Sequence, residues 1–219
     1  MKTKSKALLL ALCAVLLVAA SVLGTLAYLT SDDQVTNTFT VGKVALDLWE
    51  HEVNADGTKA EEKTQEGNSY VDIMPGHTYS KDPTVTVKAD SEASYVRLMV
   101  TVTYDEAANE EGKTADAVLA EYNYISWFDW NENWTKPTAP TTVKENGKII
   151  RTYEFRYKEV VAETTQDTDL PALFTQIKIP QELTNTELAT LENLKIDIVA
   201  NAIQADGFAN ADAAWAAFN

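Results

Sequence analysis

Thiol chemistry is almost absent from this chain, because its 219 residues include one cysteine, Cys13, inside an apolar stretch near the N-terminus. One cysteine cannot build an intrachain disulfide framework. Leu12 precedes it where a bacterial lipoprotein signal needs a small residue, so we do not expect lipidation at Cys13. If the apolar stretch is removed, the remaining chain has no thiol to serve as nucleophile or metal ligand.

Histidine is scarce as well, with His51 and His77 as the two examples. The segment "HEVNA" begins like a zinc-protease helix, but Ala55 stands where the second histidine would be needed. His51 lies in a strand-like pattern, and His77 follows a proline-glycine turn. We therefore expect neither residue to be a catalytic base or a metal ligand.

The segment "DWNENW" starts like a calcium-binding loop, with oxygen-bearing side chains at alternate positions. Trp134 stands where such a loop needs glycine, and Pro140 where it needs glutamate, so the EF-hand pattern fails. A looser cation site formed by Asp129, Asn131 and Asn133 is an open alternative. The sequence also has no glycine-rich phosphate loop, and we expect no catalytic residue, metal or cofactor, and no enzymatic activity.

Positive charge is in short supply, with 18 lysine and arginine residues against 33 aspartate and glutamate residues and a net charge of −15. Loss of the first 27 residues would remove Lys2, Lys4 and Lys6 and no acid, which leaves 15 basic residues and a net charge of about −18. Nucleic acids and anionic lipid surfaces repel such a chain, so we expect neither as a partner.

A long uncharged run, residues 7–29, follows the three N-terminal lysines. It ends in small residues, with Gly24, Thr25 and Ala27 close together. A basic start, an apolar middle and small residues at the end predict a secretory signal peptide over residues 1–27, cleaved between Ala27 and Tyr28. A retained membrane anchor is the alternative, because about 20 apolar residues suffice to cross a bilayer.

Alternation of apolar and polar residues dominates the rest of the chain and predicts half-buried strands. It occurs in the segments "TFTVGKVALDLWEHEV", "PTVTVKA", "SYVRLMVTVTYD", "KIIRTYEFRYKEVV", "LFTQIKIP" and "LKIDIVANAIQA". Short helices are predicted in "TADAVLAEYNYISWF", in "TNTELATLENL" with a cap at Thr184 or Asn185, and at the C-terminus after an Asn210 cap. The pattern favours an all-β fold, an antiparallel β-sandwich with short helical insertions and a C-terminal helix.

Aromatic residues concentrate in an insert near residues 114–134, where "YNYISWFDWNENW" holds six of them. Trp127, Trp130 and Trp134 are candidates for binding a glycan or a protein partner, because rigid rings supply large contact areas. The other interpretation is that these rings close one end of the sandwich and are buried there.

Two segments, "GTLAYLTSDDQVTNTFTVGKVALDL" and "IMPGHTYSKDPTVTVKADSEASYVRLMVTV", carry a resemblance to a known family, and the C-terminal "IVANAIQADGF" adds to it. They resemble the TasA/camelysin family of secreted proteins from Gram-positive bacteria. The residues that carry the resemblance are Gly24, Thr25, Ala27, Phe39, Gly42, Leu46, Asp47, Leu48, Pro75 and Gly76. Residues 105–170 match the family poorly.

The resemblance implies a jelly-roll β-sandwich that is exported, processed by a SipW-type signal peptidase and assembled into fibres of the extracellular or biofilm matrix. In such fibres the N-terminal segment of one subunit completes the sheet of the next, which is strand addition to an open edge. Here the candidate donor is residues 28–38, with Tyr28, Leu29 and Val35 as its apolar members, ahead of a sandwich domain over residues 39–219. The partners would be further copies or related matrix proteins, and the membrane would be met only through the signal peptide.

Two alternatives remain open at this point. One is a monomeric cell-surface module that binds a glycan or a matrix partner. The other is a metalloprotease of the camelysin kind, which the missing second histidine disfavours.

Overall fold

The computed structural model describes residues 43–136 and 139–218. Within these ranges no helix has the length and apolar character needed to span a bilayer. Several sequence predictions concern positions outside the described residues and stay predictions: the signal peptide over 1–27, its cleavage between Ala27 and Tyr28, the donor positions Tyr28, Leu29 and Val35, and the strand residues Phe39 and Val41.

Over residues 43–136 and 139–218, ten β-strands account for most of the regular structure. They are β1 (Leu46–Val53), β2 (Lys59–Thr64), β3 (Thr78–Ser80), β4 (Thr84–Val87), β5 (Ser94–Asp105), β6 (Thr141–Glu145), β7 (Lys148–Arg156), β8 (Thr168–Asp169), β9 (Gln176–Lys178) and β10 (Lys195–Gln204). They form two four-stranded sheets, in the orders β2-β1-β4-β8 and β10-β5-β7-β6, and a small β3-β9 pair. The pairings of these strands are antiparallel, so the expected antiparallel, sandwich-like all-β class is confirmed.

Alternation along β5 decides which face of the second sheet is buried. Val96, Leu98, Val100 and Val102 are at most 2% exposed, whereas the residues between them are half-buried. Successive side chains of a strand point to opposite faces, so the apolar set reaches the core together. Val85 and Val87 of β4, in the other four-stranded sheet, belong to the same buried core.

The described part of the chain also contains three short helices, each with a polar N-cap. They are α1 (Ala115–Glu121), α2 (Asn185–Ala189) and α3 (Ala211–Ala217), with a 3₁₀ turn at Tyr124–Trp127. The Thr184 hydroxyl accepts from the Glu187 N–H, and the Glu187 carboxylate accepts from the Thr184 N–H, which forms a capping box at α2. Asn210 caps α3 as predicted.

The segment after β1, "NADGTKAEEKTQEGNS", has the acidic composition and the Asp56-Gly57 turn that favour a long hairpin loop. In the structure, residues 59–64 within it form β2 and pair with β1. The charged side chains of β2 stay largely exposed because the strand lies at a sheet edge, where main-chain pairing suffices.

Candidate functional site: a cleft between the two sheets

Among the described residues, two strands of the sandwich have an edge with no neighbouring strand on one side. β1 pairs with β4 along residues 46–49 and with β2 only from residue 50 onward, so its first half has a neighbour on one side. β10 pairs with β5 along its whole length and ends its sheet. The two strands lie close together, and each presents the main-chain groups that another strand can pair with.

A cleft of about 1080 Å³ opens between these strands. Leu48 of β1 lines one wall, Ile196 and Ile198 of β10 line the other, and residues 64–73 form the rim. The floor consists of side chains from the core, including Val102, Leu119, Tyr124, Trp127, Phe128 and Ile177. The cleft therefore leads from solvent into the apolar interior of the sandwich.

The apolar side chains beside this cleft are incompletely covered. Ile196 and Ile198 pack against the core but are only half-buried, whereas Val100 and Val102 on the neighbouring strand are 2% exposed. Leu48 on β1 is half-buried too. Covering this partly exposed apolar face with a further apolar segment would remove it from water and would be favourable in free energy.

The rim adds exposed apolar surface. Val71 is 64% exposed and Ile73 36%, both within the rim, and Met74, which directly follows it, is 48% exposed. The chain then turns at Gly76, whose N–H donates to the Ile179 carbonyl and whose φ of +77° suits glycine. This turn holds the apolar rim beside the cleft.

Charged groups are buried at one end of the cleft. Glu50 and Lys81 are 5% and 7% exposed, and Lys81 Nζ donates to Glu50 Oε2 over 2.7 Å. Asn68 Nδ2 donates to the other carboxylate oxygen, Oε1, over 2.9 Å. Burial raises the pKa of the nearby Tyr70 phenol, and the charges of Glu50 and Asp82 raise it further.

A second pair lies close by. His51 Nδ1 and Asp82 Oδ2 are 2.7 Å apart, and Lys59 Nζ lies 3.1 Å from the same oxygen. Burial opposes ionisation of Asp82, but hydrogen bonds from the His51 backbone N–H, from Lys59 and from the His51 ring outweigh it, and its pKa is lowered. His51 is thus engaged with one carboxylate. The described residues contain no group of three histidine, cysteine or acidic side chains arranged to hold a metal ion.

At the candidate cation site of Asp129, Asn131 and Asn133, side-chain oxygens of Asp129 and Asn131 accept hydrogen bonds from nearby protein groups. The Asp129 carboxylate accepts from the backbone N–H groups of Thr175 and Gln176, at 2.8 and 2.9 Å. The Asn131 side-chain oxygen accepts from the backbone and side-chain nitrogens of Asn133. His77 is exposed in a turn.

The structure places the three candidate tryptophans in different settings. Trp127 is 8% exposed and forms part of the cleft floor, and Trp134 is 2% exposed, with its indole N–H donating to the Pro171 carbonyl. Trp130 is half-buried and stacks on Phe128 and Phe155, at centroid distances of 4.8 and 4.6 Å. The aromatic insert therefore packs into the core, and of the three candidate tryptophans Trp127 lines the cleft whereas Trp130 and Trp134 do not.

Sequence reasoning identified neither the cleft nor the buried polar cluster. Glu50 is 31 positions from Lys81 and 18 from Asn68, so no short motif links them. The apolar alternation of β10 is visible in the sequence, but its edge position depends on the strand order.

No protein-family model matches the chain, and no curated protein or solved structure matches it.

Proposed function

We propose that this protein is a secreted structural subunit of an extracellular matrix, and that it forms fibres by adding its N-terminal segment to the sandwich of a neighbouring copy. The observation that carries the proposal is the cleft between β1 and β10, where two strand edges and a partly open apolar core lie side by side. A strand placed there would gain main-chain hydrogen bonds from an edge and would bury alternate side chains against the floor.

The occupant we propose is residues 28–38 of a second copy. The described chain begins at Lys43, whose carbonyl accepts from the Glu92 N–H, so 14 residues lie between Tyr28 and the first described residue. Fully extended, 11 residues reach about 35 Å, more than a strand needs to cross a sheet. Tyr28, Leu29 and Val35 are its apolar members.

Such a contact joins two different surfaces, a tail and a cleft. Head-to-tail contacts that do not close into a ring generate open filaments. Cleavage between Ala27 and Tyr28 by a SipW-type signal peptidase would release the tail outside the membrane, so that export and assembly are coupled. The strongly acidic composition suits an extracellular protein and disfavours nucleic acid as a partner.

Two chains with different starting points test the proposal. One begins at Tyr28 and the other at Phe39, and both are examined by negative-stain electron microscopy and light scattering. We expect filaments from the chain that begins at Tyr28 and monomers from the chain that begins at Phe39. Equal assembly of both chains, or monomers from both across pH and salt, would contradict the proposal.

A matched pair of substitutions tests the cleft itself. Ile198→Lys places a charge on the cleft wall, whereas Val199→Lys alters the adjacent residue of β10, which is 56% exposed. In the chain that begins at Tyr28, we expect Ile198→Lys to prevent filaments and Val199→Lys to allow them, with both variants folded by circular dichroism. If the two variants assemble alike, the cleft is not the acceptor.

A monomeric binding module is the second candidate, favoured by the aromatic floor of the same cleft. Tyr124, Trp127 and Phe128 would contact the apolar face of a bound sugar or partner side chain. Binding of the chain that begins at Phe39 to a glycan array, lost on Ile198→Lys and without filament formation by either chain, would favour this function.

A further inference from the structure

We propose that Lys81 and Asn68 form an intramolecular isopeptide bond, promoted by Glu50. This inference is independent of fibre formation, because it concerns three side chains of one subunit. The observation that carries it is that Lys81 Nζ and Asn68 Nδ2 are both hydrogen-bonded to one buried carboxylate, at 2.7 and 2.9 Å. One carboxylate therefore links an amine to an amide, and it can carry the protons that amide exchange between the two side chains must move.

The three residues are positioned by separate elements. Glu50 lies in the middle of β1 and is 5% exposed. Lys81 follows β3, and its backbone N–H donates to the Thr175 carbonyl over 3.1 Å. Asn68 follows Gly67, a turn residue with a φ of +84°.

Three hydrogen bonds hold the Asn68 amide in place. Its Nδ2 donates to Glu50 Oε1 and to the His51 carbonyl, and its Oδ1 accepts from the Val53 N–H over 3.1 Å. When the amine adds to Cγ, negative charge develops on Oδ1. A backbone N–H already pointing at that oxygen stabilises the developing charge, as in an oxyanion hole.

Glu50 can carry each proton that the exchange moves. The Lys81 ammonium gives a proton to Oε2, and the free electron pair of Nζ forms a bond to Cγ of Asn68 while the carbonyl electrons move to Oδ1. The Glu50 carboxyl group then relays a proton from Nζ to Nδ2. As the carbonyl re-forms, the bond from Cγ to Nδ2 breaks, and Nδ2 leaves as ammonia. Ammonia then takes the first proton as it departs, so the products are one amide and one ammonium ion, and Glu50 returns to a carboxylate.

Burial of Glu50 and Lys81 favours this course, because it keeps out water that would compete with the lysine for the amide. The bond would join the cleft rim at residue 68 to the connection between β3 and β4, and it would fix one end of the cleft.

Mass spectrometry of the full chain tests the proposal without any substitution. Trypsin cleaves after lysine, so an unlinked chain yields a peptide of residues 64–81, whereas an amidated Lys81 resists cleavage and yields residues 64–88. We expect the longer peptide, lighter by one ammonia. Cyanogen bromide then cleaves at Met74, between the linked residues, and we expect the two halves to stay joined.

Cleavage at Lys81 with a peptide of unchanged mass would overturn the proposal. A peptide that has lost ammonia but separates into two halves at Met74 would overturn it as well, because that is the behaviour of a succinimide at asparagine.

Three variants complete the test. Glu50→Gln keeps the size of the side chain but cannot carry the proton, and we expect it to fold and to lose the linked peptide. Lys81→Arg keeps the charge and loses the nucleophile, with the same expected result. Lys59→Arg is the matched control, because Lys59 contacts Asp82 in the neighbouring pair, and we expect the bond to persist. A linked peptide in folded Glu50→Gln would refute the role of Glu50.

Discussion

Replacing Trp130 by alanine removes the central ring of an aromatic stack. The centroid of the Trp130 ring lies 4.6 Å from that of Phe155 and 4.8 Å from that of Phe128, and these rings are stacked. The Phe174 ring centroid lies 5.2 Å away, in an edge-on arrangement. Its indole N–H also donates to the Ile125 carbonyl over 2.7 Å. The substitution therefore removes three ring contacts and one hydrogen bond, and it leaves a space that the neighbours cannot fill without moving.

The expected loss is about 3 kcal/mol in the free energy of unfolding. Large-to-small changes at aromatic core positions cost about 3–5 kcal/mol, and the half-buried state of Trp130 puts it at the low end. For a domain of this size, 1 kcal/mol corresponds to about 2–4 °C, so we expect the melting temperature to fall by roughly 6–12 °C.

Urea denaturation followed by tryptophan fluorescence and circular dichroism measures this loss. Val143→Ala in β6 is the control, because Val143 is 47% exposed and its truncation should change stability by less than about 0.5 kcal/mol. A Trp130→Ala protein as stable as this control would refute the structural role that we assign to the aromatic insert.

Two further substitutions probe local features of the fold. Hydrogen bonds from Lys113, then from the backbone and hydroxyl of Thr184, hold the pKa of Glu187 at about 2, below its ordinary value of 4.5. Because this pKa is lowered on folding, the Glu187 carboxylate stabilises the folded protein above pH 4.5, and this contribution is lost as the pH falls towards 2. The difference in unfolding free energy between wild type and Glu187→Gln, measured by urea titration, should therefore shrink between pH 4.5 and pH 2. A difference that stays constant over this range would contradict the prediction. Gly57→Ala should lower the melting temperature more than Gly147→Ala. Both glycines have a positive φ, but of the two only Gly57 lies where an added methyl group would overlap the Tyr79 ring. Equal decreases in melting temperature, measured by calorimetry, would show that the overlap is relieved at no cost.

The strands with strong alternation could be predicted from the sequence, because their burial follows the two-residue period. β5 occupies the whole of "SYVRLMVTVTYD" with alternate side chains buried, and the Asn210 cap begins α3 as expected. β2 and β6 escaped prediction because their side chains are mostly exposed, and their pairing depends on main-chain groups that every sequence shares.

The candidate site could not be predicted, for a different reason. Among the described residues, β2 pairs with only half of β1 and β10 ends its sheet, and the cleft lies between these two edges. Both facts depend on the order of the strands. The cluster of Glu50, Asn68 and Lys81 depends on three elements meeting at one point. Local sequence patterns carry no information about which distant segments come into contact in the fold.

Binding of a synthetic peptide with the sequence of residues 28–38 to the chain that begins at Phe39 tests the central claim most directly. Fluorescence anisotropy of a labelled peptide measures the affinity, and a scrambled peptide of the same composition is the control. We expect saturable one-to-one binding that is lost in Ile198→Lys and kept in Val199→Lys. Absence of binding, or binding that the scrambled peptide and Ile198→Lys reproduce, would contradict the claim that the N-terminal segment enters the cleft between β1 and β10.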